Sequence, residues 1–240
     1  MRRNYKYTND FYQEWPPKGS LNSNMNKSLS SLEKILMNEY GLVYAYILTT
    51  VNENDGHFIQ LGSAPNFQGG LITLNTCKHD MRSWRFPEKW KDVWIAGFTG
   101  VNTTADKLNY LFYLMKVQDA FQSHLQIWNW LDAPARKAKN ARYNPCGDVY
   151  EPKSCFDNEF NPLEYYSCTR IHVHANGNAW YKDINYLNPR MKKRPSLLVG
   201  NPESSYLWSQ GTLCFQDTPP RTKRWHLQDF LKSLKTKRSA

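Results

Sequence analysis

An α+β fold, with helices flanking a mixed, partly barrel-like β-sheet, is what this sequence predicts, on three observations. Strand-like segments outnumber helical ones. The apolar runs are short and rich in β-branched and aromatic residues. Strand candidates also follow one another without the alternating helices that a doubly wound parallel sheet requires. With 240 residues, 40% of them hydrophobic, the chain can bury roughly 70 to 75% of its unfolded surface. That is enough for one large core without disulfides or a structural metal.

Residues 1–27 are polar and aperiodic, with Pro16-Pro17 and SLNSNMN, and read as an N-terminal arm. Ser30 followed by Glu33 makes a capping box, and Leu29, Leu32, Ile35 and Leu36 then recur at helical spacing up to Gly41. LVYAYILTT at 42–50 is too short and too β-branched for a helix and reads as a strand. GLITLNT (70–76), VWIAGFT (93–99) and LNYLFYLMKV (108–117) read the same way. Within 121–131, Phe121, Leu125, Trp128 and Leu131 return at helical spacing. A proline-rich loop over 145–163 leads to YYSCTRIHVH, a strand candidate. SLLVG and SYLWSQ read as a final strand pair around Asn201-Pro202. Leu227, Phe230, Leu231 and Leu234 form one apolar stripe opposite Gln228, Asp229, Lys232 and Lys235, which predicts a helix. The organisation expected is an arm over 1–27, one domain over 28–218, and a basic helix and tail over 219–240.

The charge is +10, from 31 Lys+Arg against 21 Asp+Glu, and it is clustered. Lys78, Arg82, Arg85, Lys89 and Lys91 form one group, Arg136, Lys137, Lys139 and Arg142 a second, Arg190, Lys192, Lys193 and Arg194 a third, and the tail a fourth. Trp84, Phe86, Trp90, Trp94, Tyr143 and Trp225 sit among them. Cations that neutralise phosphates and rings that stack on bases are what a nucleic-acid surface needs, so DNA is the partner expected. No apolar run reaches membrane-spanning length and no secretory leader is recognisable, so the reading is a cytoplasmic protein without a membrane or obligate protein partner. Five cysteines without a C-x-x-C pair argue for reduced thiols. Cys168, His172 and His174 share strand parity, and we read them as a polar strand face, with no metal and no cofactor expected.

The densest polar stretch runs from Ala64-Pro65-Asn66 through Gly69-Gly70 to Thr73, Asn75, Thr76, Cys77, Lys78 and Arg82. Short polar side chains, a thiol, an amine and a guanidinium there end a buried strand, as binding sites often do. The spacing is not that of a phosphate-binding loop.

The succession APN, GG, TLNTCK, then Met81-Arg82, WIAGFTG, LFYLMKV and Cys146-Gly147-Asp148-Val149-Tyr150 resembles the nucleotide modification associated domain 2 family. That resemblance spans roughly residues 42–210. Family members usually have proline after the lysine, where this chain has His79. The likeness implies an α+β domain from phage and bacterial systems that make, read or attack altered DNA bases, and a PUA-like pseudo-barrel holding an extruded base. It points to Asn66, Thr76, Cys77, Lys78, Arg82, Asp148 and Tyr150. The chemistry then assigns expected roles. Asn66, Asn75, Thr76, Cys77 and Tyr150 would read or stack on the base. Asp148, or Asp183 in WYKDIN, would stabilise an oxocarbenium-like sugar or activate water. Lys78 would hold a flanking phosphate or attack C1′. Arg82, Arg85, Arg142, Lys192, Lys193 and Arg194 would grip the DNA backbone. The function expected is base flipping and excision of a bulky modified base by a DNA glycosylase, a hydrolase serving anti-phage defence. A non-catalytic reader and a base-modifying transferase are the alternatives.

Overall fold

A computed structural model describes Gln13, Trp15 and residues 17–154, 157–169, 173–174, 177–215 and 222–237. The strands are β1 (Leu42–Leu48), β2 (Val51–Asn54), β3 (His57–Gln60), β4 (Thr73–Leu74), β5 (Trp94–Thr99), β6 (Leu111–Phe121), β7 (Val173–His174), β8 (Gly177–Asn178), β9 (Leu197–Leu207), β10 (Leu213–Phe215), β11 (Thr222–His226) and β12 (Leu234–Thr236). The helices are α1 (Ser20–Ser23), α2 (Leu29–Ile35), α3 (His79–Arg82), α4 (His124–Trp130), α5 (Ala133–Lys139), α6 (Ala179–Asn185) and α7 (Leu227–Lys232). The fold is α+β, as the sequence predicts, and the sheet is mixed and not closed into a barrel.

Six strands form the main sheet in the order β11-β1-β5-β6-β9-β4. β1 and β5 pair in parallel, while the β1–β11, β5–β6, β6–β9 and β9–β4 pairs are antiparallel. Both faces are covered, which is why β1 and β5 read as nearly continuous apolar runs. Val43, Ala45, Trp94, Ala96, Phe98, Leu111 and Leu114 face one side, where Leu32 and Leu36 of the α2 segment and Leu227, Phe230 and Leu231 of α7 cover them. Burying a side chain such as Phe230 completely contributes about 2 to 3 kcal/mol. Tyr44, Tyr46, Leu48, Ile95, Tyr113, Met115 and Val117 face the other side. A bulge sets this division: Gly97 pairs with Tyr113 but Phe98 pairs with Leu111, so Phe112 is the extra residue and joins Tyr113 in the second core.

At Gly97 an added Cβ would lie 2.3 Å from Tyr113 Cε1 and 2.8 Å from Leu48 Cδ1. Gly97→Ala is therefore expected to lose about 1 to 3 kcal/mol by overpacking. Urea denaturation measures it, and an unchanged midpoint would contradict this packing.

Near both ends the described residues join the domain, and the helix predicted on the Leu227, Phe230 and Leu231 stripe forms as α7. The described part of the arm is built into the core: Gln13 Nε2 donates to Gly62 O and Pro65 O at 3.0 and 2.7 Å, its Oε1 accepts from Phe67 N, and Trp15 packs on Phe67. In place of a separate tail, β11 pairs with β1 from Leu42↔His226 to Tyr46↔Thr222, which adds an edge strand to the domain. The first long helix is capped by Ser28, whose side chain accepts from Ser31 N, two residues earlier than the Ser30 box predicts. The stretch predicted as a strand over 70–76 keeps only two strand residues. SLLVG and SYLWSQ belong to one strand, β9, interrupted in register around Pro202.

Candidate active site

The site lies where β4 ends. Thr73 and Asn75 share parity, Cys77 follows, and Lys78 takes a left-handed conformation (φ 59°) that redirects the chain into α3. α3 carries Arg82 inward, with its side chain fully buried. Arg82 Nε donates to Cys77 O at 2.7 Å and Nη1 to Ser196 O at 2.6 Å, while Nη2 has no hydrogen-bond partner. The expectation that Arg82 grips the DNA backbone is corrected: the guanidinium is sealed from the surface that a phosphate could reach.

A second strand of chain arrives from α5. Asp148 N and Val149 N both donate to Lys139 O at 3.1 Å. A Cβ on Gly147 would meet Ala141 N at 2.6 Å, so only glycine lets this turn press against residues 140–141 and hold Asp148 in place. Asp148 is fully buried, with the Thr73 hydroxyl and its own backbone N–H beside the carboxylate but not in well-formed hydrogen bonds. Burial pushes its carboxyl up to about 6, against the charges of Lys139 and Arg82, which pull it down. Lys139 Nζ donates to Asn66 O, Asn66 Oδ1, Leu71 O and Thr73 Oγ1 at 2.9 to 3.1 Å. Burial lowers this amine to about 8, and Asp148 holds it up. The charge run that predicts a basic surface thus hides one buried cation.

The third arrival is α6. Asp183 accepts from His79 Nε2 at 2.8 Å on Oδ1 and from the Tyr150 hydroxyl at 3.0 Å on Oδ2. The Tyr150 backbone N donates to His124 Nδ1 at 3.3 Å. His124 is buried, and desolvation lowers its imidazole to about 3 although Asp183 opposes that shift. Tyr46 and Tyr113 floor the cluster from the sheet, their hydroxyls 2.8 Å apart. Burial pushes the Cys77 thiol up to about 11; Asp183 adds to this, while Arg82 and Lys78 act against it. A thiol so disposed is no ready nucleophile. Arg82 is lowered by burial to about 10, with Asp183, Cys77 and Asp148 favouring its charge.

Cys77, Arg82, Asp148, Tyr150 and Asp183, all singled out from sequence, are therefore electrostatic neighbours. Asn66 and Thr76 are engaged within the fold. The Asn66 amide is used internally, donating to Cys146 O and accepting from Lys139, and the Thr76 hydroxyl pairs with Ser63. Both atoms of the Asn75 amide are buried without a partner. Lys78 Nζ stands 4.7 Å from the Tyr46 ring centroid. Among the surface cations, Lys193 lies 3.9 Å over Phe86, Arg194 3.9 Å over Phe160, and Arg142 3.6 Å over Tyr166 while paired with Glu151. Arg85 is tied to Tyr44 OH and Lys89 O, and Lys192 is exposed. His79, His124 and Lys139 are the groups that sequence reasoning missed.

Among the described residues no cluster of three or more His, Cys, Asp or Glu is arranged to hold a metal, and no helix is long and apolar enough to cross a membrane. The strand-face reading of Cys168, His172 and His174 falls largely outside the described residues. No family model, curated protein or solved structure matches this chain.

Proposed function

We propose that the protein binds DNA and hydrolyses the N-glycosidic bond of a modified base, in defence against phages whose genomes carry such bases. One observation carries this reading: three distant segments deliver two carboxylates in unlike surroundings to a single buried polar cluster. Asp183 is fixed by two donors, whereas Asp148 is poised to exchange a proton at about 6. Pairs of carboxyls whose environments differ in this way are what acid–base hydrolysis of a glycosidic bond uses. The water oxygen bonds to C1′ as the C1′–N bond breaks, the base leaves with the bonding pair, and the positive charge on the sugar is met by a carboxylate. The exposed Lys192 and the ring-stacked Lys193, Arg194 and Arg142 supply phosphate and base contacts at the surface.

The complete burial of Asp148 favours, as a second reading, a protein that recognises altered bases without cutting them. Incubation with DNA carrying modified or ordinary bases, with chromatography of the released base, separates the two. The wild type is expected to free base from modified DNA. Asp148→Asn and Asp183→Asn should bind the same DNA but release base at least about ten-fold more slowly. Selective binding with no release by the wild type would leave only the reader.

A further inference from the structure

Resting on that reading, we propose that His79 and Asp183 are the acid–base dyad of the site: His79 is the group that takes up and returns the proton, and the buried Asp183 orients its ring and favours its charged form. The Asp183 side chain is 0% exposed and that of His79 14%, with 2.8 Å between Nε2 and Oδ1. The imidazole therefore stands between water and a carboxylate that water does not reach. Its orientation is built rather than accidental. The ring stacks on Tyr186 at 4.7 Å and 19°, the Tyr186 hydroxyl donates to Asp80 Oδ1 at 3.0 Å, and Asn188 Nδ2 donates to the same oxygen at 3.1 Å. A base held by a buried carboxylate and a fixed ring plane is the arrangement that general acid–base catalysis needs. Tyr150 holds the second oxygen of Asp183, so each oxygen of the carboxylate accepts a hydrogen bond.

The other carboxylate is less suited. Asp148 sits beneath Arg82 and beside Lys139, whose four acceptors tie it to the 66–73 loop, and no partly exposed titratable group is hydrogen-bonded to it. Other ionisable groups about the dyad are Cys77, Lys78 and Arg82 on its own turn, and His124 and Tyr150 from elsewhere. Hydrolysis takes one proton from water and gives one to the departing base. The His79 imidazole, its charged form favoured by Asp183, holds that proton and returns it, and nothing is oxidised or reduced.

The test is single-turnover base release as a function of pH. His79→Ala is expected to slow release by at least about ten-fold with DNA affinity unchanged, and millimolar imidazole should restore part of the rate. His79→Gln, which keeps a donor for Asp183 but cannot titrate, should remove one ionisation from the pH–rate profile. Wild-type rates in both variants, or a loss that imidazole leaves untouched with an unaltered profile, would overturn the dyad while the glycosylase reading stands. Should the wild type release no base from any DNA, that reading fails and the dyad is judged by proton NMR. A far-downfield imidazole N–H signal must be present in the wild type and lost in Asp183→Asn; its absence from the wild type sinks the dyad.

Discussion

Lys139→Met is expected to lower folding stability by about 3 to 5 kcal/mol, because it breaks a buried ionic arrangement from one side. The methionine keeps most of the volume, so the loss is chiefly electrostatic. Four oxygens of Asn66, Leu71 and Thr73 lose the donor that links the 66–73 loop to the end of α5. Asp148 simultaneously loses the cation that most offsets its burial. Asp148→Asn alone removes the charge that Lys139 was opposing, so it should cost less. The double variant Lys139→Met/Asp148→Asn should lose less than the sum of the two single losses, since the variants share one interaction. Urea titration of the four proteins gives the cycle. A loss under about 1 kcal/mol for Lys139→Met, the size of an exposed ion pair, would mean that the ammonium is not sealed in.

That lysine shows where sequence reading stops. In the run Ala135-Arg136-Lys137-Ala138-Lys139-Asn140 every cation looks alike, and only the docking of α5 against the 66–73 loop turns one of them inward. Strands buried on both faces, β1 and β5, are legible because tertiary and local signals agree over whole apolar runs. The β2–β3 hairpin is announced by Asp55-Gly56, a dipeptide suited to two-residue turns, but its flanks VNEN and HFIQ are too polar to read as strands. β11, sequence TKRWH, reads as basic tail because its pairing with β1 spans most of the chain and leaves no local mark. Asn201-Pro202 reads as a turn, yet β9 passes through it; a register shift in the β6 ladder absorbs the irregularity, with Asn201 Oδ1 accepting from Glu203 N. In the site, Cys77, Arg82, Asp148, Tyr150 and Asp183 were legible as chemistry, but not which way each side chain points. Arg82 looks like a phosphate ligand until α3 is seen to aim it at Cys77 O and Ser196 O. His79 carries a further signal, a titratable ring two residues after a thiol, but its partner carboxylate lies more than a hundred residues away in α6, and sequence spacing cannot connect the two.

Two buried groups in this cluster make opposite demands on pH, so the stability of the wild type should change little between about pH 4 and 6, while single variants slope in opposite directions. His124 is lowered from its ordinary value of 6.5 to about 3 by burial. The unfolded chain therefore binds a proton that the folded one refuses, and the contribution of His124 is present above pH 6.5 and lost as pH falls towards 3. Asp148 is raised from 3.8 to about 6 by burial. Here the folded protein holds the extra proton, and the contribution is present below 3.8 and lost as pH rises through 6. Between these limits the two differ by one proton each, with opposite sign, and cancel. Asp148→Asn should unmask the histidine, with stability rising on the order of 3 kcal/mol from pH 4 to 6. His124→Gln should unmask the carboxylate, with stability falling over the same interval. Below about pH 3.8 only the histidine still responds, so the wild type should weaken there as acid is added. Unfolding free energies measured at half-unit steps decide it: parallel curves for all three proteins would show that neither group differs between its folded and unfolded states, and the buried cluster would then have to be open to water.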